Sequence, residues 1–134
     1  MTTDEALQQW LALEHEAVWF YAVAGGRFAP LASTARAAYT AHVGAREALL
    51  ERLHRIGVEP VATALAYGIG RLRTTDDARK IARDLEARIA AACLTLVGLV
   101  EGDEREFATT ALRRAALAEL TWGGRPSAFP GLPA

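Results

Sequence analysis

The sequence predicts an all-α fold, an antiparallel four-helix bundle with a long connection between helices 2 and 3, and three observations predict it. Apolar residues recur with helical spacing in four separate stretches. Each stretch is bounded by capping residues or by glycine and proline, with two short links and one long link between them. Each stretch also carries one polar residue in the middle of its apolar face.

The first helix is predicted over roughly residues 3–28. A capping box at Thr2 and Glu5 starts it, and Pro30 ends it. At about 100° per residue, one face collects apolar side chains around a carboxylate: Leu7, Trp10, Leu11, Glu14, Ala17, Val18, Tyr21, Gly25 and Phe28. An unpaired buried carboxylate is strongly destabilising, so Glu14 must meet a hydrogen-bond donor, a cation or a metal, or take up a proton.

The second helix is predicted over roughly residues 30–56, with Pro30 in its first turn and Gly57 at its end. Its central polar residue is His42. The rest of its predicted inner face is Leu31, Ala35, Ala38, Tyr39, Ala45, Arg46, Leu49, Leu53 and Ile56. Residues 57–74 lack clean periodicity and form the long connection.

The third helix, roughly residues 75–100, is predicted to be capped by Thr75. The fourth helix is predicted to start at a capping pair, Asp103 and Glu106, and to run to about Trp122. The central polar residues of these two helices are Glu86 and Glu119. The sequence thus supplies one buried Glu or His for each helix.

The chain of 134 residues, about half of them apolar, is long enough for one core. We therefore predict a bundle domain over residues 1–124 and an extended, proline-rich tail over residues 125–134. The tail is predicted to pack on the bundle through Phe129 and Leu132.

Charge and cysteine content indicate the setting of the protein. The net charge of −1, with both signs mixed along the chain, argues against a nucleic-acid partner and a membrane partner. The single cysteine, Cys93, rules out an intramolecular disulfide, and no signal-peptide pattern is present. We expect a cytoplasmic protein.

The four central polar residues are predicted to lie at one level of the bundle. At about 1.5 Å per residue, each lies roughly 18–24 Å from a helix end, near mid-length. A residue at the middle of a helix lies at the same level of the bundle whether the helix runs up or down. The four residues are therefore predicted to converge whether or not the long connection crosses the bundle. The residues are Glu14, His42, Glu86 and Glu119.

Several local motifs accompany this arrangement: Leu13-Glu14-His15-Glu16-Ala17 with Tyr21, His42 followed by Arg46-Glu47, Leu85-Glu86-Ala87-Arg88, and Ala128-Phe129-Pro130-Gly131-Leu132-Pro133. With them the chain resembles the ferritin-like superfamily, and more closely an uncharacterised, mainly actinobacterial family within it. The resemblance covers nearly the whole chain and implies a ferritin-like bundle with no assigned activity.

The sequence departs from the di-iron pattern of ferritin-like proteins at two helices. Where the resemblance implies Glu-x-x-His, this chain has Tyr39-x-x-His42 and Glu119-x-x-Trp122. Three Glu and one His supply too few ligands for two irons. One iron, zinc or manganese ion held by Glu14, His42, Glu86 and Glu119 remains an alternative, with metal binding and redox activity as its function.

The leading hypothesis is a non-enzymatic bundle protein that keeps a degenerate Glu/His cluster without metal. Arg46 lies one turn beyond His42 on the predicted inner face, and Arg79 and Arg83 precede Glu86. These guanidinium groups would pair with the carboxylates, and Tyr21 and Tyr39 would donate hydrogen bonds to them. A small-ligand pocket lined by Tyr21, Tyr39 and Trp122 is a third class of function.

Three residues of helix 1 are predicted to face away from the core: Trp19, Phe20 and Val23. Large apolar side chains on an outer face are typical of a subunit contact, which here predicts a homodimer. The alternative is that the long connection or the tail covers them. His15 and His54 occupy outer or flanking positions and are predicted to be solvated.

Overall fold

The computed structural model describes residues 1–133, which form four α helices and one short 3-10 helix with no strand. These elements are α1 (Thr3–Arg27), the 3-10 helix (Ala29–Leu31), α2 (Ala32–Arg55), α3 (Thr75–Val97) and α4 (Gly102–Thr121). The all-α prediction is confirmed. Ala134, the last residue of the predicted tail, lies outside the described residues. None of the helices described is both long enough and apolar enough to cross a membrane.

Capping boxes start α1 and α3. The amide of Glu5 donates to Thr2 Oγ1 (3.2 Å), and the amide of Thr2 donates to Glu5 Oε2 (3.0 Å), as predicted. In α3 the cap is Thr74, so the predicted cap at Thr75 is wrong by one residue. The amide of Asp77 donates to Thr74 Oγ1 (3.0 Å), and Asp77 Oδ2 accepts from the Thr74 amide (3.1 Å).

The capping pair predicted for α4 does not cap it. This helix begins at Gly102, and its N-cap residue, Glu101, makes no side-chain cap hydrogen bond. Arg105 instead closes the preceding turn, because its Nε donates to the carbonyls of Val97 (3.2 Å) and Val100 (2.8 Å). The link between α3 and α4 is therefore fixed by a side chain of α4.

The chain divides into two compact units. The middle unit is Leu11–Ala78, which contains most of α1, all of α2 and the long connection. The terminal unit is Met1–Trp10 together with the chain from Arg79 onward, which contains the start of α1, nearly all of α3, and α4.

In the middle unit, α1 and α2 approach closely at Gly25, where an added Cβ would lie 3.2 Å from the Cβ of Ala35. Besides Ala35, these helices and the 3-10 helix between them contribute further buried apolar residues to the middle unit: Leu11, Ala17, Phe20, Tyr21, Ala24, Leu31, Leu49 and Leu53. Phe20 is fully buried, so the prediction that it faces outward is wrong. The buried face of α1 is wider than the single stripe that the sequence indicated.

The long connection covers the additional buried side of α1. Trp19 packs on Tyr67 with ring centroids 5.6 Å apart. His15 Nε2 is hydrogen-bonded to the carbonyl of Val61 (3.0 Å), and Arg27 Nη1 donates to a carbonyl of the connection at Leu72 (3.0 Å). His15 is therefore buried, which corrects the prediction that it is solvated, whereas His54 is exposed as expected.

The buried stripe of α2 is narrower than predicted. Its buried residues Ala35, Leu49 and Leu53 lie within about 20° of His42 on the helical wheel, and so does Leu31, the last residue of the 3-10 helix. Tyr39, roughly 60° away, is 39% exposed, so its placement on the inner face is wrong. Ile56 is exposed and Arg46 is half-buried for the same reason.

In the terminal unit, Trp10 packs against Phe107 with ring centroids 5.1 Å apart. The tail reaches α3 at Gly131, whose φ is +90°, and a Cβ there would lie only 2.9 Å from the carbonyl oxygen of Ala90. Phe129 is 71% exposed and Leu132 is also exposed, so the prediction that they hold the tail down is wrong. The absence of a side chain at Gly131 permits the contact instead.

Candidate functional site

Glu14 of α1 and His42 of α2 meet inside the middle unit. Glu14 Oε2 and His42 Nδ1 are 2.6 Å apart in a hydrogen bond. Glu14 is 1% exposed and His42 is 8% exposed. The buried ring of Tyr21 stacks on the imidazole, with centroids 5.3 Å apart and planes 13° from parallel. The carboxylate at the centre of the α1 face thus has a buried imidazole as its partner.

This pair is a direct, oriented hydrogen bond between Glu14 Oε2 and His42 Nδ1. A hydrogen bond between a carboxylate and an imidazole is stronger than a neutral one when either group is charged. Two ligand atoms of a tetrahedral zinc ion, each about 2.0–2.2 Å from it, would be separated by roughly 3.3 Å. The observed 2.6 Å is shorter, so Oε2 of Glu14 and Nδ1 of His42 bind each other.

Two predicted members of the polar network lie elsewhere. The Nε and Nη2 atoms of Arg46 donate to Glu47 Oε1 at 3.2 and 2.9 Å. Within residues 1–133, Arg46 makes no ion pair with Glu14. Tyr39 is exposed, as described above, whereas Tyr21 reaches the pair through its ring. The prediction that Arg46 belongs to the network is therefore wrong.

The other two predicted site residues, Glu86 of α3 and Glu119 of α4, belong to the terminal unit. Glu86 is fully buried and Glu119 is half-buried. Desolvation raises the pKa of the Glu119 carboxyl, and the negative charge of Glu86 raises it further. The two carboxyl groups are thus electrostatically coupled, which favours a proton on Glu119.

Arg83 was expected to reach the buried carboxylates, but it binds the end of α4. Its Nη1 donates to the carbonyl of Trp122 (2.8 Å). The same helix end is closed by the amide of Gly124, which donates to the carbonyl of Glu119 (2.8 Å). The positive φ of Gly123, +91°, permits this turn.

Metal binding normally needs three or more protein ligands. In each unit, no group of three or more His, Cys, Asp or Glu side chains among the described residues is placed to hold a metal ion. The predicted four-residue site draws Glu14 and His42 from one unit and Glu86 and Glu119 from the other. It stays a prediction.

Two surface grooves complete the candidate sites. The middle groove, about 690 Å³, is lined by His15, Val18, Trp19, Ala22, Val23, Tyr39, Arg46, Glu47, Leu50 and Thr63. The tail groove, about 930 Å³, lies between the tail, α3 and α4 and is flanked by Leu117 and Leu120. Sequence reasoning missed the tail groove. Both leucines fall outside the inner face that the sequence predicts for helix 4, and apolar residues outside that face are a signal of exposed apolar surface. The predicted inner face is Ala108, Leu112, Ala115, Ala116, Glu119 and Trp122.

Comparison with known proteins gives a family and a fold neighbour. The family described as "Domain of unknown function (DUF4439)" matches residues 6–134. The crystal structure of a conserved hypothetical protein, rv2844, from Mycobacterium tuberculosis is similar, with 27% sequence identity and a TM-score of 0.83. The match covers 90% of this chain and 94% of that one. No curated protein gives a significant match.

Proposed function

The chain belongs to the family described as "Domain of unknown function (DUF4439)", and we propose that it is a ferritin-like four-helix bundle protein with a structural or interaction role. The observation that carries this proposal is the buried hydrogen bond between Glu14 Oε2 and His42 Nδ1. It satisfies one polar atom of each side chain without a metal. Buried polar groups that are paired in this way serve to orient neighbouring helices.

Helix lengths and connections support the ferritin-like assignment. The four α helices contain 25, 24, 23 and 20 residues, so each is about 30–38 Å long. Helices of matched length with one long connection, after α2, are typical of ferritin-like bundles.

A single-metal protein is the alternative, and the position of two arginines favours it. Arg46 is hydrogen-bonded to Glu47, and Arg83 to the carbonyl of Trp122, so neither forms the expected direct pair with a buried carboxylate. A metal-free network therefore has fewer guanidinium groups than the sequence suggested. In the alternative, Glu14, His42, Glu86 and Glu119 would hold one iron, zinc or manganese ion, which would supply Lewis-acid or redox chemistry.

Elemental analysis of the purified, tag-free protein separates the two proposals, together with thermal melting with and without a chelator. The structural proposal expects less than about 0.1 metal per chain and an unchanged Tm. It also expects His42→Ala to lower the Tm under both conditions, because the change strands the buried Glu14 carboxyl group. His54→Ala is the matched control on the same helix, since His54 is exposed.

A different outcome would replace the structural proposal by the metal-binding one. That outcome is a stoichiometric metal, a Tm that falls on chelation, and loss of both the metal and the chelator effect in His42→Ala but not in His54→Ala.

The interaction role is assigned to the middle groove, through which the chain pairs with a second copy of itself. Trp19 and Val23 line this groove and are half-buried. The neighbouring residues Arg46 and Glu47 also line it and carry opposite charges. A two-fold axis that passes close to these residues would bring each charge to its opposite on the partner, which suits a symmetric dimer.

Sedimentation velocity tests the dimer. Val23→Glu introduces a charge into the groove and should shift the chain from dimer to monomer. Leu65→Glu is the control, because Leu65 is fully exposed and lies outside the groove. A monomeric wild type, or a dimer that both variants retain, contradicts the assignment.

A further inference from the structure

The tail groove has the dimensions and the lining of a site for an alkyl chain. Its volume of about 930 Å³ is within the range of roughly 300–1,000 Å³ that is usual for ligand sites. Ala87, Ala91 and Ala116 leave room in its lining, and Leu117 and Leu120 of α4 extend the apolar surface. No aromatic side chain lines the groove within residues 1–133, so its apolar surface is aliphatic.

The tail forms a preformed wall of this groove. Gly131 is seated against α3, where its Cα has no room for a side chain between the Ala90 carbonyl and the Leu94 Cβ. The turn that contains Gly131 is held by the amide of Leu132, which donates to the carbonyl of Phe129 (3.2 Å). The amide of Phe129 in turn donates to Ser127 Oγ (3.2 Å). An occupant therefore meets a wall that is already ordered, which lowers the entropy lost on binding.

Several exposed leucine side chains are clustered around the tail groove, which is unusual for a protein surface that binds nothing. Leu117 is 64% exposed, and Leu120 and Leu132 are exposed beside it. Clustered exposed apolar groups mark a site of interaction more often than single ones do.

The charges in the groove favour an anion. Arg88 and Arg125 line it, and Glu119 is its single acidic lining residue. Arg125 makes no hydrogen bond or ion pair with any residue of the described chain, 1–133. Because the guanidinium group presents a planar fork of donors, it matches a carboxylate in two parallel hydrogen bonds.

We propose that the tail groove binds a single-chain amphiphile with a carboxylate head, a long-chain fatty carboxylate, whose head pairs with Arg125 and whose alkyl chain lies along Leu117 and Leu120. A peptide suits the groove less well. Its backbone amides would be buried against an aliphatic surface with few polar partners, whereas an alkyl chain has no groups to satisfy.

Isothermal titration calorimetry of the full chain with dodecanoate, kept below its micelle-forming concentration, tests the proposal. We expect saturable binding of one dodecanoate per chain. Arg125→Gln should weaken it about tenfold or more, and Leu117→Ser about fivefold. Arg113→Gln and Leu65→Ser are matched controls, since both residues are exposed and lie outside the groove. Dodecyltrimethylammonium, which has the opposite head charge, should bind at least tenfold more weakly than dodecanoate.

Three results would overturn the proposal. They are no saturable heat with dodecanoate, equal binding of both head charges, and binding that Arg125→Gln and Leu117→Ser leave unchanged. Sedimentation velocity of the same samples adds a fourth: if dodecanoate or Leu117→Ser dissociates a dimer, a second copy of the chain occupies the groove. The Glu14 and His42 side chains are untouched by these variants, so this inference and the structural proposal above fail independently.

Discussion

Removing the Glu14 side chain is the sharpest test of the buried pair. Glu14→Ala deletes the acceptor 2.6 Å from His42 Nδ1 and leaves a buried imidazole with one lost partner. Water cannot readily replace the carboxylate, because the side chains of His42 and Glu14 are only 10% and 2% exposed. We therefore expect a large loss of stability from a single polar substitution.

The expected magnitude is about 3 kcal/mol of unfolding free energy. Leaving a buried polar group unsatisfied costs roughly 1–3 kcal/mol, and breaking a buried ion pair costs roughly 3–5 kcal/mol, so the two ranges meet at about 3. The stacked ring of Tyr21 keeps His42 in place. Because this limits relaxation around the missing carboxylate, most of that loss should be observed.

Urea unfolding of wild type, Glu14→Ala, His42→Ala and the double variant measures this directly. The loss should appear as a lower midpoint with an unchanged slope. The double variant should lose less than the sum of the singles, by about 1 kcal/mol or more. Glu51→Ala is the control, because its exposed pair with Arg55 contributes roughly 0.3–0.5 kcal/mol. Strict additivity, or a loss for Glu14→Ala no larger than for Glu51→Ala, would refute the reasoning.

The other expectations concern the tail and two carboxyl groups. Gly131→Ala should destabilise the tail by about 1–2 kcal/mol, because φ at Gly131 is positive and the added Cβ would meet the Ala90 carbonyl. Gly68→Ala is the control and should be neutral, since a Cβ at Gly68 would lie in open space. Limited proteolysis of the two variants measures the difference. Burial and then the charge of Glu86 raise the folded-state pKa of the Glu119 carboxyl above its ordinary 4.5. The protonated carboxyl therefore contributes fully to the stability of the fold below pH 4.5, and this contribution is lost as the pH rises through the raised pKa. Glu119→Gln should therefore raise the Tm at pH 7 relative to wild type but not at pH 4, and exposed Glu106→Gln should do neither. The Arg73 amide and then Thr74 lower the folded-state pKa of Asp77 below its ordinary 3.8, so its contribution is present above 3.8 and is lost as pH falls through the lowered pKa. Asp77→Asn should lower the Tm at pH 7, with the difference shrinking in acid; an equal difference at every pH would contradict this.

Helix positions were predictable because they depend on local chemistry. The first helix was predicted over 3–28 and is observed over Thr3–Arg27, since a capping box and a nearby proline mark its ends. The third was predicted over 75–100 and is observed over Thr75–Val97. The meeting of Glu14 with His42 followed from their depth along two adjacent helices.

Side-chain environments were less predictable because they depend on segments distant in sequence. His15 is buried because the long connection lies over this part of α1 and is hydrogen-bonded to it, and the connection has no periodicity from which its path could be inferred. Tyr39 is exposed because only a narrow stripe of α2 is covered, and a helical wheel shows the direction of a face but not its width. The tail is held by Gly131 rather than by an apolar side chain, which hydrophobicity does not reveal.

The three tryptophans make the two units separately observable by fluorescence. Trp10 and Trp122 lie buried in the terminal unit, whereas Trp19 is half-buried in the middle unit against Tyr67 of the long connection. Emission from a chain that keeps only Trp19 reports the middle unit and the docking of the connection. Emission from a chain that keeps only Trp122 reports the terminal unit. Coincident denaturation curves from these two emitters would mean that the units unfold as one cooperative system, and separate curves would give each unit its own stability.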